Sequence, residues 1–355
     1  MKKKIISLLM ATALMAACMV GCGTAAETEG PTAELEAETT TEEEAPASET
    51  PAENVDINVA ALKGPTAMGM VKLMNDSDNG ETESNHYNFT ISAAPDEITP
   101  SIIQGKVDIA AVPANLASVL YNKTEGQVQV LAINTLGVLY IVENGDTVNS
   151  VADLKGKTIY ASGKGATPEY ALNFMLSANG IDPAKDVTIE YKAEHAECVS
   201  ALVNDDNGVA MLPQPFATTA LMQNENMRIA LDMTKEWETA AKAKDSSASL
   251  VTGVVIARKA FIDEHPDAVK LFMSQYEDSI NYTNDNAEDA SALIEKYDII
   301  KAAVAQKALP FCNITFVAGS DMKEKLDGYL AELFNQNPEA VGGQVPADEF
   351  YYIEK

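Results

Sequence analysis

The sequence predicts an α/β protein of two similar lobes. Each lobe is expected to be a mostly parallel sheet flanked by helices, with a hinge where the chain crosses twice. Three observations carry this. Two strand–turn–helix stretches match at an offset of 101 residues, and two helix–strand–proline stretches match at an offset of 100. Two apolar, strand-like runs, each with an internal glycine, follow the first and second units. Helices alternating with buried-type strands imply parallel pairing.

The chain begins with Lys2, Lys3 and Lys4, then an uncharged apolar run from Ile5 to Val20. That is a signal-peptide pattern over residues 1–21. The run ends Met19-Val20-Gly21-Cys22, which resembles a bacterial lipobox and makes Cys22 the expected lipidated residue. The competing reading is a plain secretory signal with an incidental Cys22. Residues 23–55 hold ten Glu and no Lys or Arg. Such a segment buries too little apolar area to offset its ordering entropy, so 22–55 reads as lipidated Cys plus an acidic tether. A lipid plus such a spacer would hold a domain at the outer face of the cell membrane without inserting it.

The first matched unit opens with the strand-like run Ile57–Leu62, then Lys63-Gly64-Pro65-Thr66, then a helix carrying Met70, Val71, Leu73 and Met74. Its counterpart is Thr158–Gly163, then Lys164-Gly165-Ala166-Thr167, then a helix carrying Ala171, Leu172, Phe174 and Met175. Downstream, a helix from Asp96 leads through Gly105 into Val107–Val112 and stops at Pro113. A helix from Ala196 leads through Gly208 into Val209–Leu212 and stops at Pro213. Proline cannot continue a central ladder. The runs Val128–Val142, with Gly137, and Leu250–Ala257, with Gly253, are the expected crossings. This divides the chain into one lobe from 56–138 and 253–355 and another from 139–252. Two crossings make a hinge, and a hinge makes a cleft. The C-terminal third reads as helices: Pro266–Tyr282 with Asp263 as cap, Ala287–Tyr297, and Met322–Phe334 after Gly319-Ser320-Asp321.

Composition excludes several functions. The chain has 355 residues, 25 Lys+Arg against 53 Asp+Glu, and a net charge of −28. Its two Arg, Arg228 and Arg258, cannot build a basic groove, so no nucleic-acid partner is expected. Four Cys and three His without a CxxC pair leave little for a metal cage, and no cofactor is expected. Cys198 and Cys312 read as buried free thiols. Leu154-Lys155-Gly156-Lys157-Thr158 is not a P-loop, because Val151 stands where Gly is required and a strand follows.

Candidate ligand contacts follow from the duplication. Helix N-termini present unpaired N–H groups, and ligands of open α/β sheets bind at the C-terminal strand edge. The first turn offers Gly64, Pro65, Thr66 and Ala67; the second offers Gly165, Ala166 and Thr167. Each turn alone could be mere capping chemistry. The loops after the prolines add Pro113, Ala114, Asn115 and Gln214, whose amides could orient a polar ligand or simply be solvated. His195 points toward the same edge, as a contact or as a solvated or capping residue.

These residues resemble the solute-binding lipoproteins of ABC importers of the nitrate/sulfonate/taurine and thiamine-precursor group. The carriers are Gly64-Pro65-Thr66-Ala67-Met68-Gly69, the run from Gly105 to Asn115, the run from Asp153 to Ile159, and His265-Pro266. The resemblance covers roughly residue 56 to the C-terminus. It implies a periplasmic-binding-protein-like (type II) fold and a hinge closing on a small polar or anionic organic solute. It also implies a monomer delivering to a membrane permease, with no enzymatic turnover. The family's pyrimidine-synthesising relatives carry a Cys-rich motif that is absent here. An enzyme on the same fold, motivated by Glu194 and His195, and a surface ligand sensor are the alternatives.

Overall fold

The computed structural model describes residues 54–244 and 248–354; the signal segment, Cys22 and the tether up to residue 53 lie outside the described residues. Val55, assigned from sequence to the tether, opens the first strand, where it pairs with Asn85. The strands are β1 (Val55–Leu62), β2 (Asn85–Ser92), β3 (Ile109–Pro113), β4 (Val128–Leu136), β5 (Leu139–Asn144) and β6 (Thr158–Ala161). They continue as β7 (Thr188–Tyr191), β8 (Val209–Pro213), β9 (Met227–Asp232), β10 (Val251–Arg258) and β11 (Ile314–Ala318).

Two sheets form, in the orders β11-β4-β10-β3-β1-β2 and β7-β6-β8-β5-β9. The two-lobe architecture is as the duplication predicts. The pairing is mixed rather than mostly parallel. Parallel ladders join β2, β1 and β3 in one sheet and β7, β6 and β8 in the other. The remaining ladders are antiparallel. The crossings are the physical reason for the four that involve β5 or β10; the fifth joins β11 to β4. A chain leaving one sheet at the C-terminal ends of its strands enters the other sheet at that same edge, so the entering strand runs backwards. β5 and β10 are those entering strands.

The run from Val128 to Asn144 splits into β4 and β5 around Gly137 and Val138. Both strands are buried along almost their whole length, as central strands must be. A Cβ on Gly137 would lie 2.2 Å from Thr234 Oγ1, so only glycine fits there. The expected proline stops hold, with Pro113 and Pro213 as the last residues of β3 and β8.

The long helix spans Pro266–Asp285. Its cap position is His265, not Asp263, because a short helix, Lys259–Glu264, comes first and Asp263 there pairs with Lys259. The last long helix, Gly319–Gln336, starts at Gly319 and has Ala318 at its cap, without a side-chain cap. It packs on the first sheet through β4 and β11, and reaches the second lobe through Gln336 Nε2, which donates to the Tyr170 carbonyl at 3.3 Å. Cys198 and Cys312 are buried free thiols, as the sequence predicts. Burial pushes the Cys312 thiol up to about 12, so it stays protonated.

Candidate functional site at the facing strand edges

The C-terminal ends of β1, β3 and β4 lie on one edge of the first sheet, together with the start of β10. The C-terminal ends of β6, β8 and β9 lie on one edge of the second sheet, together with the start of β5. The links β4→β5 and β9→β10 leave and enter at these edges. The edges therefore face the same hinge, which is where a solute cleft belongs.

Gly64 caps the four-residue helix Pro65–Met68 with a φ of 118°, a backbone only glycine adopts readily. Pro65 opens that helix. The Thr66 hydroxyl donates back to the Leu62 carbonyl at 2.9 Å, and Ala67 is wholly buried. In the second turn Gly165 also has a positive φ, of 79°, and its N–H donates to Glu169 Oε2 at 2.6 Å. Ala166 is the cap of the helix Thr167–Ala178.

Thr167 behaves differently from Thr66. Its hydroxyl lies 3.4 Å from Asn115 Oδ1, in the first lobe, and accepts from the Tyr329 hydroxyl at 3.0 Å. The structure thus brings two predicted residues, Asn115 and Thr167, together across the facing edges. Pro113 sits beside Gly253 in the ladder, and Ala114 is wholly buried, so it offers backbone alone.

Gln214 follows β8 and its backbone N–H donates to Val138 at the first crossing, 2.9 Å away. The Gln214–Pro215 bond is cis. The side chain is 2% exposed, and its Oε1 accepts from both the N–H and the hydroxyl of Thr218, at 3.2 and 2.8 Å. Gln214 Nε2 is buried without a partner.

His195 starts the helix His195–Val203, with Nδ1 hydrogen-bonded to the hydroxyl of buried Ser162 and its ring 5.1 Å from that of Phe216. Burial lowers its pKa, against a smaller opposing pull from Glu194, so the ring is neutral. Glu194 is exposed, and among the described residues no acid is bonded to the ring. A serine–histidine pair without an orienting acid lacks the third member of a hydrolytic triad.

Sequence reasoning missed several residues of this edge. A Cβ on Gly253 would sit 2.6 Å from both Asn134 Oδ1 and Thr66 Cγ2, so Asn134, Thr66 and Gly253 converge. Tyr329 backs Thr167, and the Trp237 ring centre lies 5.7 Å from that of Tyr329 and 4.1 Å from that of Phe174. Asn134 and Thr252 had one available signal, being polar residues inside apolar strand runs. Tyr329 had none, since it reads as an ordinary apolar-face position of its helix.

Charge at the edge is modest. Both arginines lie at the opposite ends of their strands, Arg228 near the start of β9 tied to Glu143 at 3.0 Å and Arg258 at the end of β10 tied to Asp108. Lys63 pairs with Asp298 at 2.8 Å, and Lys164 lies over the Tyr191 ring. Asp232, at the end of β9, caps the helix Met233–Lys242. Among the described residues no group of three His, Cys, Asp or Glu could hold a metal, and no helix is long and apolar enough to cross a membrane. A groove of about 620 Å³ lined by Lys259, Lys270 and Tyr352 lies at the opposite edge, where β4 begins and β10 ends.

A family model described as the periplasmic substrate-binding protein of phosphonate ABC transporters matches residues 81–308. No curated protein matches the sequence. Among solved structures, an ABC transporter from Parabacteroides distasonis is 21% identical, covering 84% of this chain and 99% of its own, with a TM-score of 0.70. The periplasmic aliphatic sulphonate-binding protein SsuA from Escherichia coli is 14% identical, covering 84% and 92%, with a TM-score of 0.65. The periplasmic nitrate-binding protein NrtA from Synechocystis PCC 6803 is 15% identical, covering 73% and 69%, with a TM-score of 0.50. At these identities the likeness is one of fold.

Proposed function

The chain belongs to the phosphonate-type family of ABC-transporter periplasmic substrate-binding proteins, and on that premise we propose that it captures a small polar or anionic organic solute, of the nitrate, sulfonate or thiamine-precursor kind, between its two lobes. An extracytoplasmic location and a membrane permease as partner follow from the family. The observation that carries the cleft assignment is the meeting of Asn115 and Thr167, which come from different lobes and sit at the starts of the helices that follow β3 and β6. Around them, Gln214 supplies an amide, and Gly64, Pro65, Gly165 and Ala166 supply backbone at two helix starts. The protein acts as a monomer and turns nothing over.

The test is direct. The full chain should gain thermal stability with one class of small solute, because anything that binds the folded state alone stabilises it. Deleting the gene should abolish uptake of that solute. A chain that releases no small molecule on denaturation, and whose loss leaves uptake intact, would contradict the proposal.

We further propose that Cys22 is lipidated and that residues 22–55 tether the lobes to the outer face of the membrane. Wild type is expected in the membrane fraction and Cys22→Ala in the soluble fraction. Equal partition of the two would remove the anchor. The lobe division proposed is 56–138 with 253–355, and 139–252. Limited proteolysis should cut first near the two crossings.

A further inference from the structure

The last long helix, Gly319–Gln336, follows β11 of the first sheet, yet one row of its side chains meets the second lobe. The row is Tyr329, Glu332 and Gln336, spaced three and four residues apart and therefore on one helix face. Asn337, just past the helix end, continues it. Opposite stand the helix Thr167–Ala178 and the end of the helix Met233–Lys242.

The row changes character along its length. Tyr329 is wholly buried, with its hydroxyl on Thr167 and its ring beside that of Trp237. One residue before it, Gly328 packs so closely that an added Cβ would sit 2.7 Å from the Ala248 Cβ. Beyond Tyr329 the contacts are polar, and Glu332, Gln336 and Asn337 are half-buried. Glu332 Oε2 faces Lys244 Nζ at 3.9 Å. Gln336 Nε2 donates to the Tyr170 carbonyl at 3.3 Å, and Asn337 Nδ2 donates to the Tyr170 hydroxyl at 3.0 Å. The Asn337 oxygen accepts from the Glu339 N–H at 3.1 Å, which leaves the NH₂ group for Tyr170. The Tyr170 hydroxyl in turn donates to the Gly165 carbonyl at 3.3 Å.

Two ties therefore run from this helix to the second turn, one from Tyr329 to Thr167 and one from Asn337, through Tyr170, to Gly165. The first turn is held from within its own lobe instead. There Gly69 stands 101 residues before Tyr170, and its carbonyl accepts from Ser279 of the helix Pro266–Asp285 at 2.7 Å. Relative cost decides which contacts give way when the lobes part. Separating the Tyr329 and Trp237 rings exposes a large apolar area to water. The outer hydrogen bonds and the exposed ion pair exchange for bonds to water at little net cost.

Resting on the lobe division above, we propose that the last long helix is an interlobe strap. Its buried part, at Gly328 and Tyr329, is the pivot. Gln336 and Asn337 are a latch on Tyr170 that holds the lobes together before any solute arrives. On the solute-binding reading, apparent affinity scales with the closed fraction, so the latch sets affinity from outside the cleft.

Single-molecule energy transfer tests this in the full chain without solute. Asp96 and Ala196 are exposed and stand second in the helices Pro95–Ile103 and His195–Val203, which follow β2 and β7 at the facing edges. Dyes attached there through noncanonical side chains read the lobe separation and leave the native thiols untouched. Wild type is expected mainly in the high-transfer state. Gln336→Ala with Asn337→Ser should raise the open-to-closed ratio about tenfold, equal to about 1.4 kcal/mol. Ser keeps an acceptor for the Glu339 N–H and is too short to reach Tyr170. Tyr170→Phe, which deletes the hydroxyl alone, should raise the ratio about threefold, and it keeps the test decisive should the double variant fail to fold. Transfer unchanged in both variants, with only a lower melting temperature, would overturn the latch. Limited proteolysis of wild type separates that failure from the premise. Cuts near the two crossings with unchanged transfer overturn the latch alone; no cuts there and unchanged transfer overturn the lobe division as well.

Discussion

Lys63-Gly64-Pro65-Thr66 and Lys164-Gly165-Ala166-Thr167 share three of four residues, yet their threonines do opposite things. Thr66 turns inward and closes its own turn on the Leu62 carbonyl. Thr167 turns outward, to Asn115 in the other lobe and Tyr329 in the last long helix. Local geometry explains half of the difference. Pro65 takes the first helical position in the first turn, which leaves Thr66 one residue in, able to reach the carbonyl four residues back. Thr167 is itself the first helical residue, with Pro168 behind it. The other half is tertiary, because Asn115 and Tyr329 arrive from distant parts of the chain. A repeated motif therefore marks equivalent places without guaranteeing equivalent roles.

That contrast can be broken or sharpened by substitution. The largest effect is expected from Trp237→Ala, which removes the 1%-exposed ring that packs on Tyr329, the partner of Thr167. It should cost about 3–5 kcal/mol in chemical denaturation. A wild-type midpoint would show that packing does not hold the second turn. Gly253→Ala attacks the first turn by pressing a methyl onto Asn134 and Thr66, and should cost about 1–3 kcal/mol. A neutral result would mean the strand shifts and Thr66 is loosely held.

The two threonines then separate the roles. Thr66→Ala should lower stability by about 0.5–1.5 kcal/mol and leave solute affinity unchanged. Thr167→Ala should weaken solute binding by about fivefold, near 1 kcal/mol, in calorimetric titration. The reverse pattern would break the comparison outright.

The smallest effect is expected from pH. The counterpart of His195, 100 residues earlier, is Pro95, so only the second lobe carries a titrating group there. The folded His195 pKa is lowered from 6.5, so the unfolded chain binds the extra proton first. Its stabilising contribution is whole above that value and is lost as pH falls through it toward the lowered folded value. His195→Gln should flatten the acid side of a stability–pH curve. An unchanged curve would show that the ring titrates as in water.

Much of the fold was legible because its causes are local. Apolar runs of strand length, prolines that end ladders and glycines at turns fix where β1, β3, β6 and β8 lie, and the duplication reveals that there are two lobes. β2, β7, β9 and β11 were less visible, being polar or partly exposed runs such as Asn85–Ser92. The mixed pairing was hidden because strand direction depends on which edge the chain enters, a property of the crossings and not of any residue.

The candidate site divides the same way. Gly64, Asn115, Thr167 and Gln214 could be picked out because they follow strands in a regular plan. The orphaned Nε2 of Gln214, the enclosure of Asn134 and the reach of Tyr329 to Thr167 could not, since each depends on what lies opposite in space. The sequence by itself determined the periodicity, the duplication and the turn chemistry, which act over a few residues. The tertiary structure alone decided which polar atoms are left unpaired and which turn faces the other lobe. Burial and partnership are properties of the assembled edges, and residues as distant in sequence as Asn115, Thr167 and Tyr329 set them together.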